Sequence, residues 1–164
     1  MRVLFVCTGN TCRSPPASVL AESLGLEAGS AGLSAVAGWP ASEPAQESAR
    51  KLGLDLASHR SRRVDAEAVE AADLILTMTA SHLAALLREF PQARGRAAQL
   101  GVYARLGVEA LEAPPDPEAD VPDPFGSSQG VYDDCAEAIR ACLEALQAPV
   151  RRGESPREAS SERP

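Results

Sequence analysis

Short apolar runs alternating with helical stretches predict an α/β chain, a single domain built on a parallel sheet with helices on both faces. Three observations carry this. The runs Val3-Leu4-Phe5-Val6 and Leu74-Ile75-Leu76-Thr77-Met78 are nearly continuous in apolar character, as in strands buried on both sides. The segments between them carry helix punctuation, with proline in a first turn and glycine after a last one. A length of 164 residues with 45% apolar composition is enough for one domain with a buried core.

Each element can be justified in order. The first strand covers Val3 to Val6. A helix near 15–24 follows, with Ser14 read as its N-cap, Pro15-Pro16 in its first turn, Leu20 and Leu24 on one face, and Gly25 as its stop. A short strand near 27–31 and a helix near 42–52, closed by Gly53, come next. Val64 to Ala71 is expected as a short helix and Leu74 to Met78 as the second apolar strand. A helix at 80–90, stopped by Pro91, and a short strand at 97–101 follow. Glu112 to Asp120 has three prolines and reads as an extended surface connection. The last helix is expected at 130–147, and the charged, proline-containing residues 149–164 as a disordered tail beyond a domain spanning 1–148.

Between the first strand and first helix lies Cys7-Thr8-Gly9-Asn10-Thr11-Cys12-Arg13-Ser14. A tight strand-to-helix loop directs backbone N–H groups, the helix N-terminus and the Arg13 guanidinium at one spot. That arrangement suits a dianionic phosphoryl group and an anionic sulfur at Cys7. Nucleophile and anion clamp thus coincide. An arginine six residues after a cysteine arises by chance often enough, but the preceding strand, the inner glycine, the following serine and the prolines together do not.

Other classes fall away on composition. There is no apolar run of 18 residues, so no membrane span is expected, and Met1-Arg2 leads straight into the strand bearing the nucleophile, so a cleaved leader would remove the site. A cytoplasmic protein is expected. The net charge of −7 disfavours nucleic acid or an anionic membrane as partner. Four cysteines and two histidines show no paired metal-ligand spacing, so neither a metal nor another cofactor is expected. Cys135 and Cys142, seven apart on a helix with Ile139 and Leu146 on the same stripe, read as small core residues.

The loop resembles that of the low-molecular-weight protein tyrosine phosphatase family, of the form C-x-G-N-x-C-R-S-P, and matches every fixed position. The likeness continues through Gly29-Ser30-Ala31-Gly32, Leu54 to Arg62, Ala72 to Met78 and Asp123-Pro124-Phe125-Gly126, covering about residues 1 to 147. It implies a three-layer, flavodoxin-like fold with four parallel strands, and a monomer that hydrolyses phosphorylated protein through a cysteinyl-phosphate. It also implies roles: Cys7 as nucleophile, Arg13 and the loop residues Thr8, Gly9, Asn10, Thr11, Cys12 and Ser14 as the phosphoryl site, Asp123 as general acid, and Phe125 as a cleft wall. Asn10, Ser30 and His59 match the family's supporting network, Ser14 its donor to the thiolate, and Cys12 the cysteine that protects the nucleophile through a reversible disulfide. Without the resemblance, Asp123-Pro124 is an ordinary turn and His59 a residue in a basic run. His82 is read as an exposed residue at a helix start, and Asp116, Asp120, Asp133 and Asp134 as solvated.

Two positions depart from the family pattern. Ala35-Val36-Ala37 stands where many members carry an aromatic residue, leaving Trp39 as the candidate second wall. Thr11 occupies the loop position at which tyrosine-specific members usually carry isoleucine or leucine. A threonine hydroxyl is poorly satisfied by a phenyl ring and can serve a guanidino group. The loop is similar to that of the family's protein-arginine phosphatase branch, so phosphoarginine is the expected substrate and phosphotyrosine the alternative. An arsenate reductase would need two further redox cysteines where the chain reads Met78-Thr79-Ala80. A non-catalytic phosphoprotein-binding module would need Arg13 but not both Cys7 and Asp123.

Overall fold

The computed structural model describes residues 1–150, with side chains through 147. The elements run β1 (Arg2–Cys7), α1 (Ser14–Ser23), β2 (Glu27–Gly32), α2 (Glu43–Lys51), α3 (Ala66–Ala71), β3 (Leu74–Thr77), α4 (Ala80–Glu89), β4 (Ala97–Gln99), α5 (Leu100–Leu106) and α6 (Gln129–Val150), with three short 3₁₀ turns between β3 and α6. The four strands are all parallel in the order β2-β1-β3-β4. Chain progression moves outward from β1 to β2, then crosses to the other side for β3 and β4. The reversal falls between β1 and β3, the place where open α/β sheets form their ligand crevice.

The central strand shows why the sheet needs two helical layers. Val3, Phe5 and Cys7 face one cluster shared with Leu20, Leu100, Tyr103, Ile139 and Leu143, contributed by α1, α5 and α6. Leu4 and Val6 face the opposite cluster, with Val69, Leu83, Leu86 and Phe90 from α3, α4 and the turn after it. Burial of side chains of this size contributes about 1.5–3 kcal/mol each. A strand buried on both faces cannot alternate polar and apolar residues, which explains the continuous apolar runs.

Several sequence expectations are corrected here. Ser14 does not cap α1; it is the first helical residue, preceded by Arg13, and no side chain caps that end. The short third helix starts at Ala66 rather than 64 because Asp65 caps it, accepting from Ala68 N–H at 2.8 Å. The strand expected at 97–101 stops at Gln99, where α5, unforeseen in the sequence, begins. The connection 112–120 is not wholly extended: it contains a 3₁₀ turn at Pro117–Ala119 started by Asp116. The tail read at 149–164 lies outside the described residues from 151 onward, while α6 itself continues to Val150. Among the described residues no helix is long and apolar enough to cross a membrane.

Candidate active site

Cys7 ends β1, buried to 2% exposure, at the carboxyl edge of the sheet. Its sulfur shares a hydrogen bond with Ser14 Oγ at 3.0 Å and accepts one from the Asn10 N–H at 3.3 Å. The second contact depends on backbone handedness: Asn10 has φ 56°, the one positive value at a non-glycine position among the described residues. That region is sterically costly for a residue with a Cβ, though asparagine tolerates it better than most. Here the turn swings the Asn10 N–H back over the sulfur.

What holds Asn10 there is its own side chain. Fully buried, it donates through Nδ2 to Ser14 Oγ and to Ser30 Oγ, both at 2.9 Å, and accepts at Oδ1 from the Arg62 N–H at 3.0 Å. The His59 Nε2 lies 2.8 Å from the Asn10 carbonyl. A carbonyl only accepts, so that nitrogen carries the proton. Burial pulls the His59 pKa down, against the carbonyl bond that raises it, while nearby Arg60 lowers it further. The Asn10, Ser14, Ser30 and His59 side chains named in the sequence are therefore brought together, and the backbone of Arg62 joins them.

The loop is also clamped from β2 and the segment after it. Leu33 N–H donates to the Cys7 carbonyl, Ser34 N–H to the Thr8 carbonyl and Ser42 N–H to the Thr11 carbonyl, at 2.9, 2.9 and 3.0 Å. Gly32 packs beneath: a Cβ there would lie 2.5 Å from the Thr8 carbonyl oxygen and 2.9 Å from Asn10 N. Pro15 and Pro16 have no N–H, so the amides left free at the start of α1 are those nearest Arg13 and Ser14.

Arg13 is 4% exposed, donates to the Val121 carbonyl at 3.1 Å and places Nη2 3.7 Å from Asp123 Oδ2. Its Nε is buried with no protein partner. A carboxylate and a buried guanidinium thus face each other beside a cysteine. The Asp123 side chain is 57% exposed and turns back to accept from the Phe125 N–H at 3.1 Å, as an Asx turn does. Phe125 and Trp39 are 78% and 60% exposed. The backbone at Trp39 is fixed by Ser61, which exchanges hydrogen bonds with it at 2.9 and 2.7 Å. Thr11 is half-buried, its hydroxyl making one long contact, 3.7 Å to Cys12 Sγ. Cys12 is buried, with Ser42 Oγ and Tyr132 Oη each at 3.5 Å. The Tyr132 phenol is pushed up to about 12, first by burial and then by the Cys12 sulfur.

Four residues depart from their sequence reading. His82 is not exposed: it is 7% exposed, and its Nε2 lies 2.8 Å from Thr8 Oγ1. Asp120 is not merely solvated; its Oδ1 accepts from Ala80 N–H at 2.7 Å and Gln99 Nε2 at 2.8 Å, pinning the connection to β4 and α4. Asp116 and Asp133 have built partners as well, Arg105 for the first and Ser48, Lys51 and Gln129 for the second. Cys135 packs in the core as expected, its thiol pushed up to about 11 by burial.

Known proteins share this fold over nearly the whole chain. The family described as low molecular weight phosphotyrosine protein phosphatase matches residues 2–155. A protein-arginine-phosphatase of Geobacillus stearothermophilus is 33% identical over 148 residues, covering 88% of this chain and 93% of that protein. The low molecular weight protein-tyrosine-phosphatase Wzb of Salmonella typhimurium is 35% identical over 145 residues, 87% of each chain. The solved YwlE arginine phosphatase from Geobacillus stearothermophilus superposes with a TM-score of 0.82 at 32% identity, covering 93% of this chain and 94% of that one.

Proposed function

The chain belongs to the low molecular weight phosphotyrosine protein phosphatase family, whose named relatives are hydrolases of phosphorylated protein, and we propose that its own substrate is phosphoarginine. In this reading the loop amides and Arg13 bind the non-bridging phosphoryl oxygens. The Cys7 thiolate attacks phosphorus in line, an S–P bond forms, the P–N bond breaks, and the leaving guanidine nitrogen takes the proton of Asp123. A water then attacks the cysteinyl-phosphate while Asp123 accepts its proton. The S–P bond breaks, releasing inorganic phosphate and the thiolate. Phe125 and Trp39 supply exposed apolar surface beside the substrate, and neither metal nor organic cofactor takes part.

Identity does not choose between substrates, since arginine- and tyrosine-phosphatase relatives match about equally well. The observation that carries the choice is Thr11, whose half-buried hydroxyl has no stronger partner than a sulfur 3.7 Å away. A guanidino N–H can use that oxygen, while a phenyl ring would cover it unsatisfied. The experiment is the ratio of kcat/KM on phosphoarginine and phosphotyrosine peptides, before and after Thr11→Ile. A preference for phosphoarginine is expected, with a swing of about 10- to 200-fold toward phosphotyrosine in the variant. Parallel loss on both substrates, or an initial preference for phosphotyrosine, would instead favour the tyrosine phosphatase reading.

The same reading gives Cys12 a protective role. Peroxide oxidises Cys7 to the sulfenic acid, Cys12 attacks that sulfur, and a disulfide forms with loss of water. Mass spectrometry of peroxide-treated protein should find Cys7 joined to Cys12; a pairing with Cys135 or Cys142 would exclude it.

A further inference from the structure

His82 lies against the nucleophilic loop and has no part in the mechanism above. It stands in the first turn of α4, its N–H donating to the Thr79 side chain that caps the helix at 3.1 Å. Because β1 and β3 are adjacent and parallel, the loop after one and the helix after the other leave the same edge of the sheet. That places His82 Nε2 2.8 Å from the hydroxyl of Thr8, the residue following the nucleophile. The other ring nitrogen, Nδ1, is buried with no partner.

These contacts settle the state of the ring. A buried N–H without an acceptor is rarer than a lone pair without a donor, so Nε2 carries the proton and donates it to Thr8 Oγ1. The ring is neutral: burial is the first cause, the Arg13 charge the second, and together they outweigh Asp120 and Asp123 to hold the pKa at about 4. Arg13 faces the ring from the loop, and the two aspartates from the segment before α6.

The buried Nδ1 without a partner weakens the fold, so the ring is not placed there for its own satisfaction. The ring's bond gives Thr8 a second anchor. Its carbonyl is held by Ser34 and its side chain by His82, which fixes the peptide planes on either side of it.

We propose that His82 is a positioning residue for phosphoryl transfer, holding Thr8 so that the Cys7–Thr8–Gly9 backbone keeps its amides converged on the transferring group. The proposal rests on the phosphatase reading above. A tetrahedral phosphate tolerates small displacement of those amides, whereas the in-line transition state does not, so the loss falls on kcat.

The test compares His82→Leu, His82→Gln, Thr8→Val and the Thr8→Val/His82→Leu pair. Turnover is measured on an aryl phosphate, binding of inorganic phosphate by calorimetry, and melting temperature alongside. His82→Leu should lose about 10- to 100-fold in kcat while remaining folded at the assay temperature, with phosphate affinity within about threefold. His82→Gln, whose amide nitrogen reaches Thr8, should recover most of that loss. Thr8→Val should match His82→Leu, and the double variant should be no slower than either single one. A His82→Leu enzyme at full kcat, a glutamine variant as slow as the leucine variant, or losses that multiply in the double variant would each overturn the proposal. An unsubstituted protein that turns over no aryl phosphate would instead overturn the phosphatase reading on which it stands.

Discussion

The loop from Cys7 to Ser14 and the segment from Glu112 to Gly126, which supply opposite halves of the proposed reaction, are built in opposite ways. In the loop, Asn10, Ser14, Cys7 and Arg13 are all buried, and the Asn10 amide has its donors and acceptor satisfied within the protein. The acid segment is pinned at Val121, whose N–H meets the Met78 carbonyl at 2.9 Å, with Asp116 and Asp120 tied to Gln99; past it Pro124 is buried and the Asp123 carboxylate reaches Arg13 at 3.7 Å. The Asp123 and Phe125 side chains themselves stand out in solvent. A nucleophile and its anion clamp must be fixed before substrate arrives, because their geometry determines the barrier. An acid that serves first the leaving atom and then a water gains from access to both.

If that contrast is sound, removing the fixed partner should cost most. Cys7→Ser should abolish measurable turnover while inorganic phosphate still binds, since the hydroxyl is a far weaker nucleophile but the amides remain. Substantial residual activity would break the comparison by removing the loop's central role. Asp123→Asn should slow turnover by about 10² to 10⁴, with less loss for activated aryl leaving groups that need little protonation. Equal losses for good and poor leaving groups would make the acid segment structural instead.

The smallest effect sharpens the contrast through acid stability. His82 takes a proton near pH 6.5 when unfolded but only near 4 when folded. Between those values the unfolded chain binds more protons, so its contribution is complete above pH 6.5 and is lost as pH falls toward 4. The slope is at most about 1.4 kcal/mol per pH unit for one proton. His59, also held low by burial, acts in the same direction, while Asp116, lowered by Arg105, stays ionised throughout this window. Urea unfolding between pH 7 and 5 should therefore show a shallower loss for His82→Gln than for the unsubstituted protein. Identical slopes would mean that His82 protonates as readily in the folded state.

Legibility in the sequence follows how local each feature is. The nucleophilic loop could be read because its strand, turn, arginine and prolines are contiguous, and the four-strand order because the family likeness spans nearly the whole chain. Contacts over long separations could not be read from spacing. The Thr8–His82 bond joins residues 74 apart, and nothing in Thr79-Ala80-Ser81-His82 names its partner. One signal was present: His82 lies four residues before Leu86, on the buried stripe of α4. Tyr132, likewise, precedes Ala136 and Ile139 on the buried stripe of α6 and meets Cys12. Helix α5 was missed because it has only seven residues and carries Gly101, a poor helix former. That glycine is needed where a Cβ would strike the Ala119 carbonyl.

Gly32, the register partner of Cys7 on β2, has no side chain to offer the reaction, yet the Cys7–Ser14 loop rests directly on it. Adding a single methyl group at that position would press on the Thr8 carbonyl and the Asn10 nitrogen together, and neither can retreat, one being tied to Ser34 and the other to the nucleophile's sulfur. The shape of the anion cradle is therefore transmitted from the neighbouring strand by contact, as a casting takes the form of its mould. Replacing this glycine with any larger residue would be as damaging as altering the cysteine's immediate partners, although no group that bonds substrate would have changed.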